Sequence, residues 1–217
     1  MPKYQATIYG HKEEQFNIWS HGLGFVASVL GTVLLLARAL GMSDPTYALS
    51  AAIYGASLLT LYAASTLYHS AKKPKLRNRL NIFDHAAIYI LIAGTYTPFC
   101  LITLAGKVGW ILFACVWAFA VAGVILKLFF TGRYDKLSTL MYIFMGCMVV
   151  FAFKPLMAHL PTEGLYWLLG GGLSYIIGAA FYSFPQHIRY NHAIFHVFVL
   201  AGSLCHFVSV YCYVISP

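Results

Sequence analysis

Charge is what this sequence has least of. Only 9% of its 217 residues are Asp, Glu, Lys or Arg, and only six are acidic. A soluble globular domain is about 25% charged, so this chain has too few polar side chains to clothe a water-facing surface. That same scarcity, with 60% hydrophobic residues, excludes a disordered segment. Cysteine pairing is missing too. Cys100, Cys115, Cys147, Cys205 and Cys212 are odd in number, widely spaced and set in apolar runs, with no Cys-x-x-Cys. They read as small packing residues rather than a disulfide framework. The first twenty residues, MPKYQATIYGHKEEQFNIWS, hold neither an apolar central stretch nor a small-residue cleavage site. No cleavable leader is expected. No Walker, Rossmann or kinase pattern is present.

What remains is a polytopic membrane protein. An apolar helix needs about twenty residues to cross the hydrocarbon core. Seven stretches qualify: 21–40, 47–68, 84–104, 108–130, 139–158, 164–184 and 192–215. The breaks between them carry the glycines, prolines and charges that end helices. Every loop is short, so the expected architecture is all-α. It is one seven-helix transmembrane domain over 1–217, with a polar lead-in at 1–19. Any site must then lie between helices. Trp19, Trp110 and Trp167 fall near span ends, where interfacial aromatics belong. The Gly170–Gly172 run and Gly178 suggest close helix packing.

The net charge of +8 would suggest nucleic acid in a soluble protein. Here it is read by position, and no nucleic-acid partner is expected. The lead-in and the even-numbered loops hold Lys3, Lys12, Lys72, Lys73, Lys75, Arg77, Arg79, Lys127, Arg133, Lys136 and Arg189, which is eleven. The opposite side holds Arg38, Lys107 and Lys154, which is three. Basic residues collect on the cytoplasmic side. The N-terminus is therefore expected inside and the C-terminus outside a bacterial inner or plasma membrane.

Ionisable side chains inside a bilayer are expensive and point to function. They are His21, His69, Asp84, His85, His192, His196 and His206. His69 ends the second span, Asp84 opens the third, and His192 opens the seventh. Three chain-distant segments thus bring metal-type ligands to one level. His192 and His196 are four residues apart, so both rings share one helix face. With His69 they make three imidazoles, the donor set of a catalytic zinc with an open fourth position. Asp84 could partner a water there or a ring N–H. Ser65, one turn from His69, could hydrogen-bond nearby or polarise a carbonyl. A plainer reading stays open for each. The histidines could be interhelical hydrogen-bonding residues, Asp84 an interfacial residue reaching water, and Ser65 a packing residue. Glu14, Asn17 and His21 share a helix face at the mouth, as a polar cap over the site or as a solvated helix start. His206 lies about 20 Å beyond His192 along the helix and cannot share its ion. His85 points away from Asp84, toward headgroups or a neighbouring helix. His11, His159 and His187 read as solvated.

Four segments carry a family resemblance: EEQFNIWSHGLG at 13–24, STLYH at 65–69, FDHAAIYILIAGTYTPF at 83–99 and YNHAIFHVFVLAGSLCHF at 190–207. In that order they resemble the hemolysin III proteins, the bacterial branch of the progestin and adipoQ receptor superfamily. The resemblance spans essentially all seven stretches. It implies seven helices around one zinc ion facing the cytoplasm, with His69, His192 and His196 as ligands. It also implies Asp84 near a zinc-bound water, with Ser65 beside it. Ceramidase activity is associated with adiponectin-receptor relatives, and alkaline ceramidases belong to the wider superfamily. The cytolysis suggested by the family name is not expected, because a secreted pore-former needs an export signal.

Three functions follow. One is zinc-dependent hydrolysis of a lipid amide or ester, with membrane lipid as both environment and substrate. The second is a sensor or regulator of membrane state with a structural zinc. The third is a channel or transporter, which would need His206 and Asp84 to flank a continuous water path. The sequence names no protein partner.

Overall fold

The computed structural model describes residues 5–183 and 188–216, with backbone alone at Asp135. Every regular element among the described residues is helical, with no strand, and seven helical stretches are long and apolar enough to cross a membrane. In order they are α1 (His11–Ala39), α2 (Pro45–Ser70), α3 (Pro74–Pro98), α4 (Gly106–Phe130), the pair α5 (Asp135–Cys147) and α6 (Phe153–His159), α7 (Thr162–Ser183) and α8 (Asn191–Ser209). The predicted end of the sixth span at Phe184, and His187, lie outside the described residues.

The helices begin where local chemistry starts them. Asp44 caps α2 by accepting a hydrogen bond from the Thr46 N–H at 2.8 Å, with Pro45 in the first turn. Pro74 likewise opens α3. Tyr190 adopts left-handed backbone, φ 63°, and turns the chain directly into α8.

Two helices start earlier than expected. α1 begins at His11 rather than near residue 21, and α3 at Pro74 rather than near Asp84. The charged run 72–79, read as loop, contains the first turns of α3. Arg77, Asn81 and Asp84 lie at i, i+4 and i+7 and are all buried, so these turns are held by a polar inner face. The fifth span is interrupted instead of uniform. Pro155 has no N–H to offer the residue-151 carbonyl, and its ring crowds that group. The chain tightens into a 3₁₀ segment, Met148–Ala152, before α6. Pro98 similarly precedes a π-helical segment at Phe99–Thr103, and α8 ends in another at Val210–Val214.

The burial pattern is that of a membrane bundle. The inner stripe of α1 is Asn17, His21, Gly24, Ser28, Gly31, Leu35 and Ala39. Leu23, Val26, Leu30 and Val33 point outward, exposed. Lipid tails are as apolar as Leu, so apolar side chains gain little by turning inward. Small and polar residues make the close contacts instead. α1 packs on α2, α2 on α3, α3 on α4 and α7 on α8, while α8 also meets α1. Close approach requires glycine at specific points. Gly94 of α3 faces the Ser57 side chain of α2, and Gly171 of α7 faces the His206 ring of α8. Of the glycines at 170–172, only Gly171 meets a neighbour, and Gly178 abuts Phe195 and Phe198.

Candidate metal centre

His69 stands in the last turn of α2, and His192 and His196 stand one turn apart at the start of α8. The packing of α1 against both helices brings these ends together. All three side chains are buried, at 3%, 5% and 1% exposure. The Nε2 atoms converge, with His69 to His192 at 3.2 Å and His192 to His196 at 3.1 Å. They form the one group of three metal-type side chains among the described residues. Two nitrogens on a tetrahedral ion at about 2.0–2.1 Å stand about 3.3 Å apart. The observed spacing matches that edge.

Hydrogen bonds on the far side of the rings decide which nitrogen is free. His69 Nδ1 donates to Glu14 Oε2 at 2.8 Å. That bond places the proton on Nδ1 and leaves Nε2 as a bare lone pair facing the cluster. Ser20 Oγ lies 3.3 Å from His196 Nδ1. A carboxylate or hydroxyl behind a metal-binding imidazole is the usual way its ring is aimed. The three ring nitrogens lie in a buried cluster, within reach of one ion. Three convergent imidazole nitrogens, one of them aimed by a carboxylate, fit a metal ion.

The other predicted residues lie around this centre. Glu14 accepts from the Tyr9 backbone N–H at 3.2 Å as well, and pairs with the Arg77 guanidinium. His21 stacks on His196, with centroids 3.5 Å apart and planes 8° from parallel, and meets the edge of Tyr62. Asn17 is fully buried, and its side-chain atoms have no hydrogen-bond partner in the structure. The face formed by Glu14, Asn17 and His21 is therefore turned into the bundle, not toward solvent. Asp84 and Ser65, at 7% and 1% exposure, line a cavity together with His192 and His196. The Ser65 hydroxyl approaches the Asp84 carboxylate but makes no hydrogen bond of ordinary geometry. With α3 starting at Pro74, Asp84 sits about 15 Å into its helix rather than at the first turn.

Two chambers border this centre. The larger, about 380 Å³, runs into the bundle between apolar residues such as Leu91, Ile92, Leu173, Ile176 and Val199. The smaller, about 330 Å³, is polar and is lined by Gln5, Thr7, Tyr9, Tyr68, Asn81 and Gly132. His85, Tyr182 and His192 border both. His206 and Asp84 line the same large chamber, but the wall between them is apolar. His206 stands apart from the triad, its Nε2–H donating to the Leu168 carbonyl at 3.0 Å.

Sequence reasoning missed the parts played by Tyr9, Ser20, Arg77 and Tyr182. Tyr9 stacks on His192 at 4.5 Å, and burial pushes its phenol well above the ordinary tyrosine range. Tyr182 Oη lies 3.4 Å from His85 Nε2, so of the two surroundings expected for His85 it meets the neighbouring helix, α7. Ser20 and Arg77 carried a signal. Ser20 lies three residues beyond Asn17, and Arg77 seven before Asp84, on faces already marked as polar. Tyr9, in a non-helical segment, carried none.

A family model for haemolysin-III related proteins matches residues 9–207, nearly the whole chain and every residue of this centre. The chain belongs to the haemolysin III family. Similar members include hemolysin-3 of Bacillus cereus, 44% identical over 204 residues that cover 94% of this chain and 93% of that protein. The hemolysin-3 homolog of Bacillus subtilis is 42% identical, covering 94% and 96%. A more distant relative is the human monocyte to macrophage differentiation factor, 30% identical over 224 residues, 97% of this chain and 87% of that protein. Together with the seven apolar helices, membership makes this haemolysin III protein a multi-pass membrane protein, consistent with a bacterial cell membrane.

Proposed function

We propose that this protein is a zinc-dependent intramembrane hydrolase of lipid amide or ester bonds, resembling the ceramidases in chemistry. The observation that carries the reading is the placement of three converging imidazoles bordered by an apolar and a polar chamber. An amphipathic substrate fits that arrangement. Its acyl chain would lie in the apolar chamber, its polar part in the smaller one, and the bond to be broken beside His192. The eleven-to-three distribution of basic residues supports placing this end of the bundle at the cytoplasmic face.

A zinc ion held by His69, His192 and His196 would lower the pKa of a water toward about 7 and polarise a carbonyl. The protein's own groups do the rest. Glu14 and Ser20 hold the His69 and His196 rings in register. Asp84 accepts a proton from water as that water attacks, then returns it to the departing nitrogen or oxygen. Ser65, its hydroxyl unpartnered, is free to donate to the substrate carbonyl. The apolar wall excludes bulk water and strengthens each of these polar contacts. A path for ions or solutes finds no support in that wall.

Elemental analysis of detergent-purified protein tests the first half. About one zinc per chain is expected, with loss in His192→Ala. Turnover of a panel of acyl amides and esters tests the second half. Stoichiometric zinc with no hydrolysis across the panel, and thermal stability that collapses on chelation, would instead assign the ion a structural part in a sensor or regulator.

A further inference from the structure

The centre has a roof. Residues 5–10 are non-helical and run across the mouth between the end of α2 and the start of α3. The Ala6 N–H donates to Asn78 Oδ1 at 2.8 Å. The Thr7 carbonyl accepts three hydrogen bonds: from Arg77 Nε at 3.1 Å, from the Arg77 terminal nitrogen at 2.8 Å, and from Tyr68 Oη at 3.0 Å. The Tyr9 N–H donates to Glu14, and its ring covers His192 at 17° from parallel. Three of these six residues, Gln5, Thr7 and Tyr9, line the polar chamber.

Arg77 is the common anchor. It is buried, at 6% exposure, with its guanidinium 4.6 Å over the Tyr68 ring. Its remaining terminal nitrogen lies 3.4–3.5 Å from the carbonyls of Tyr68, His69 and Ala71, at the open end of α2. The same guanidinium pairs with Glu14, the carboxylate behind His69. One planar cation thus reaches both the covering segment and the group that aims a metal-binding ring. Five fixed donors make arginine suited to that double duty, whereas lysine offers only a compact charge.

We infer that Arg77 is a positioning residue that locks residues 5–10 as a strap over the histidine centre, so that exchange between the centre and the aqueous phase requires the strap to lift. The role is separable from hydrolysis. It concerns how fast an ion or a small reagent reaches the site, and it holds whether the bound metal is catalytic or structural.

Two rates test it. The first is zinc release from metal-loaded protein to an excess of a chromogenic chelator. Arg77→Met should release zinc about 10- to 100-fold faster, the range seen when a ligand's supporting partner is lost. Arg77→Lys restores a charge opposite Glu14 but cannot fork onto the Thr7 carbonyl. It should recover the wild-type absorption spectrum of the cobalt-substituted centre while still releasing metal quickly. Tyr9→Ala, which leaves Glu14 and Arg77 untouched, should bind the same amount of metal and also release it faster. It serves as the test if Arg77→Met fails to fold.

The second rate needs no metal. In a background free of the five native cysteines, His192→Cys should react slowly with a water-soluble maleimide, and about ten-fold or more faster once Tyr9→Ala or Arg77→Met removes the strap's contacts. Folded variants that release zinc at the wild-type rate, or equal labelling with and without the strap contacts, would overturn the inference. A wild-type protein without zinc would sink the hydrolase reading and leave the labelling experiment to decide the strap.

Discussion

Replacing Glu14 tests the geometry of the centre most directly, because one carboxylate holds two partners. Its Oε2 accepts the His69 Nδ1–H at 2.8 Å, and its other oxygen meets the buried Arg77. Loss of a partner behind a metal-binding histidine costs about 10- to 100-fold in metal affinity, or about 1.4–2.8 kcal/mol. Glu14→Gln keeps an oxygen that can still accept from His69, so it should fall at the small end. Glu14→Ala frees the imidazole to rotate and change tautomer, and should fall at the large end. Stability moves separately. Removing one partner of a buried ion pair costs about 3–5 kcal/mol. Glu14 is only partly shielded, at 14% side-chain exposure, and Arg77 keeps the Thr7 carbonyl. About 3 kcal/mol, the lower limit of that range, is expected for the alanine variant. Zinc affinity measured by chelator competition, beside thermal unfolding of the metal-free protein, separates the two effects. His206→Ala, remote from the triad, is the control and should keep wild-type affinity. Equal affinity in wild type, Glu14→Gln and Glu14→Ala would refute the argument that the Glu14 bond aims His69 at an ion.

Two further outcomes follow from the same structure. Asp84→Asn should retain about one zinc per chain while turnover falls by about 10²–10⁴-fold, the contribution of a positioned proton acceptor. Wild-type turnover in that variant would remove Asp84 from the chemistry. Gly171→Leu should destabilise the α7–α8 packing by about 1–3 kcal/mol, because its side chain would occupy the space of the His206 ring. Gly170→Leu meets open space and should be silent in the same thermal-aggregation assay.

Much of the centre was legible because its signals are local or compositional. His192 and His196 share a face by helix geometry alone, and any helix crossing a bilayer must place His69 near an end. The face of Glu14, Asn17 and His21 was visible as a stripe, but whether it met solvent or protein was not. That depended on α1 starting ten residues earlier and packing against α2 and α8. The same early start in α3 hid Arg77 within what read as a charged loop. Lys and Arg next to a proline signal a break when only sequence neighbours are considered. Arg77, buried against residues 68–71, anchors the first turns of α3 that begin at Pro74.

By itself the sequence determined the solvent and the number of spans. With 9% charge and seven apolar stretches, the chain can satisfy its backbone in lipid only as helices, and this follows from composition without any tertiary contact. It also determined which side chains could ligate a metal. Only the tertiary structure decided that His192 Nε2 lies 3.2 Å from His69 Nε2 and 3.1 Å from His196 Nε2. It alone decided that Glu14 stands behind His69, that two chambers of opposite character both border His192, and that Tyr9 lies over the site. Those facts depend on the relative depth and rotation of helices distant in the chain, set by small-residue contacts and buried polar pairs. Hydrophobic periodicity does not encode them, because in a membrane the apolar face of a helix points outward to lipid.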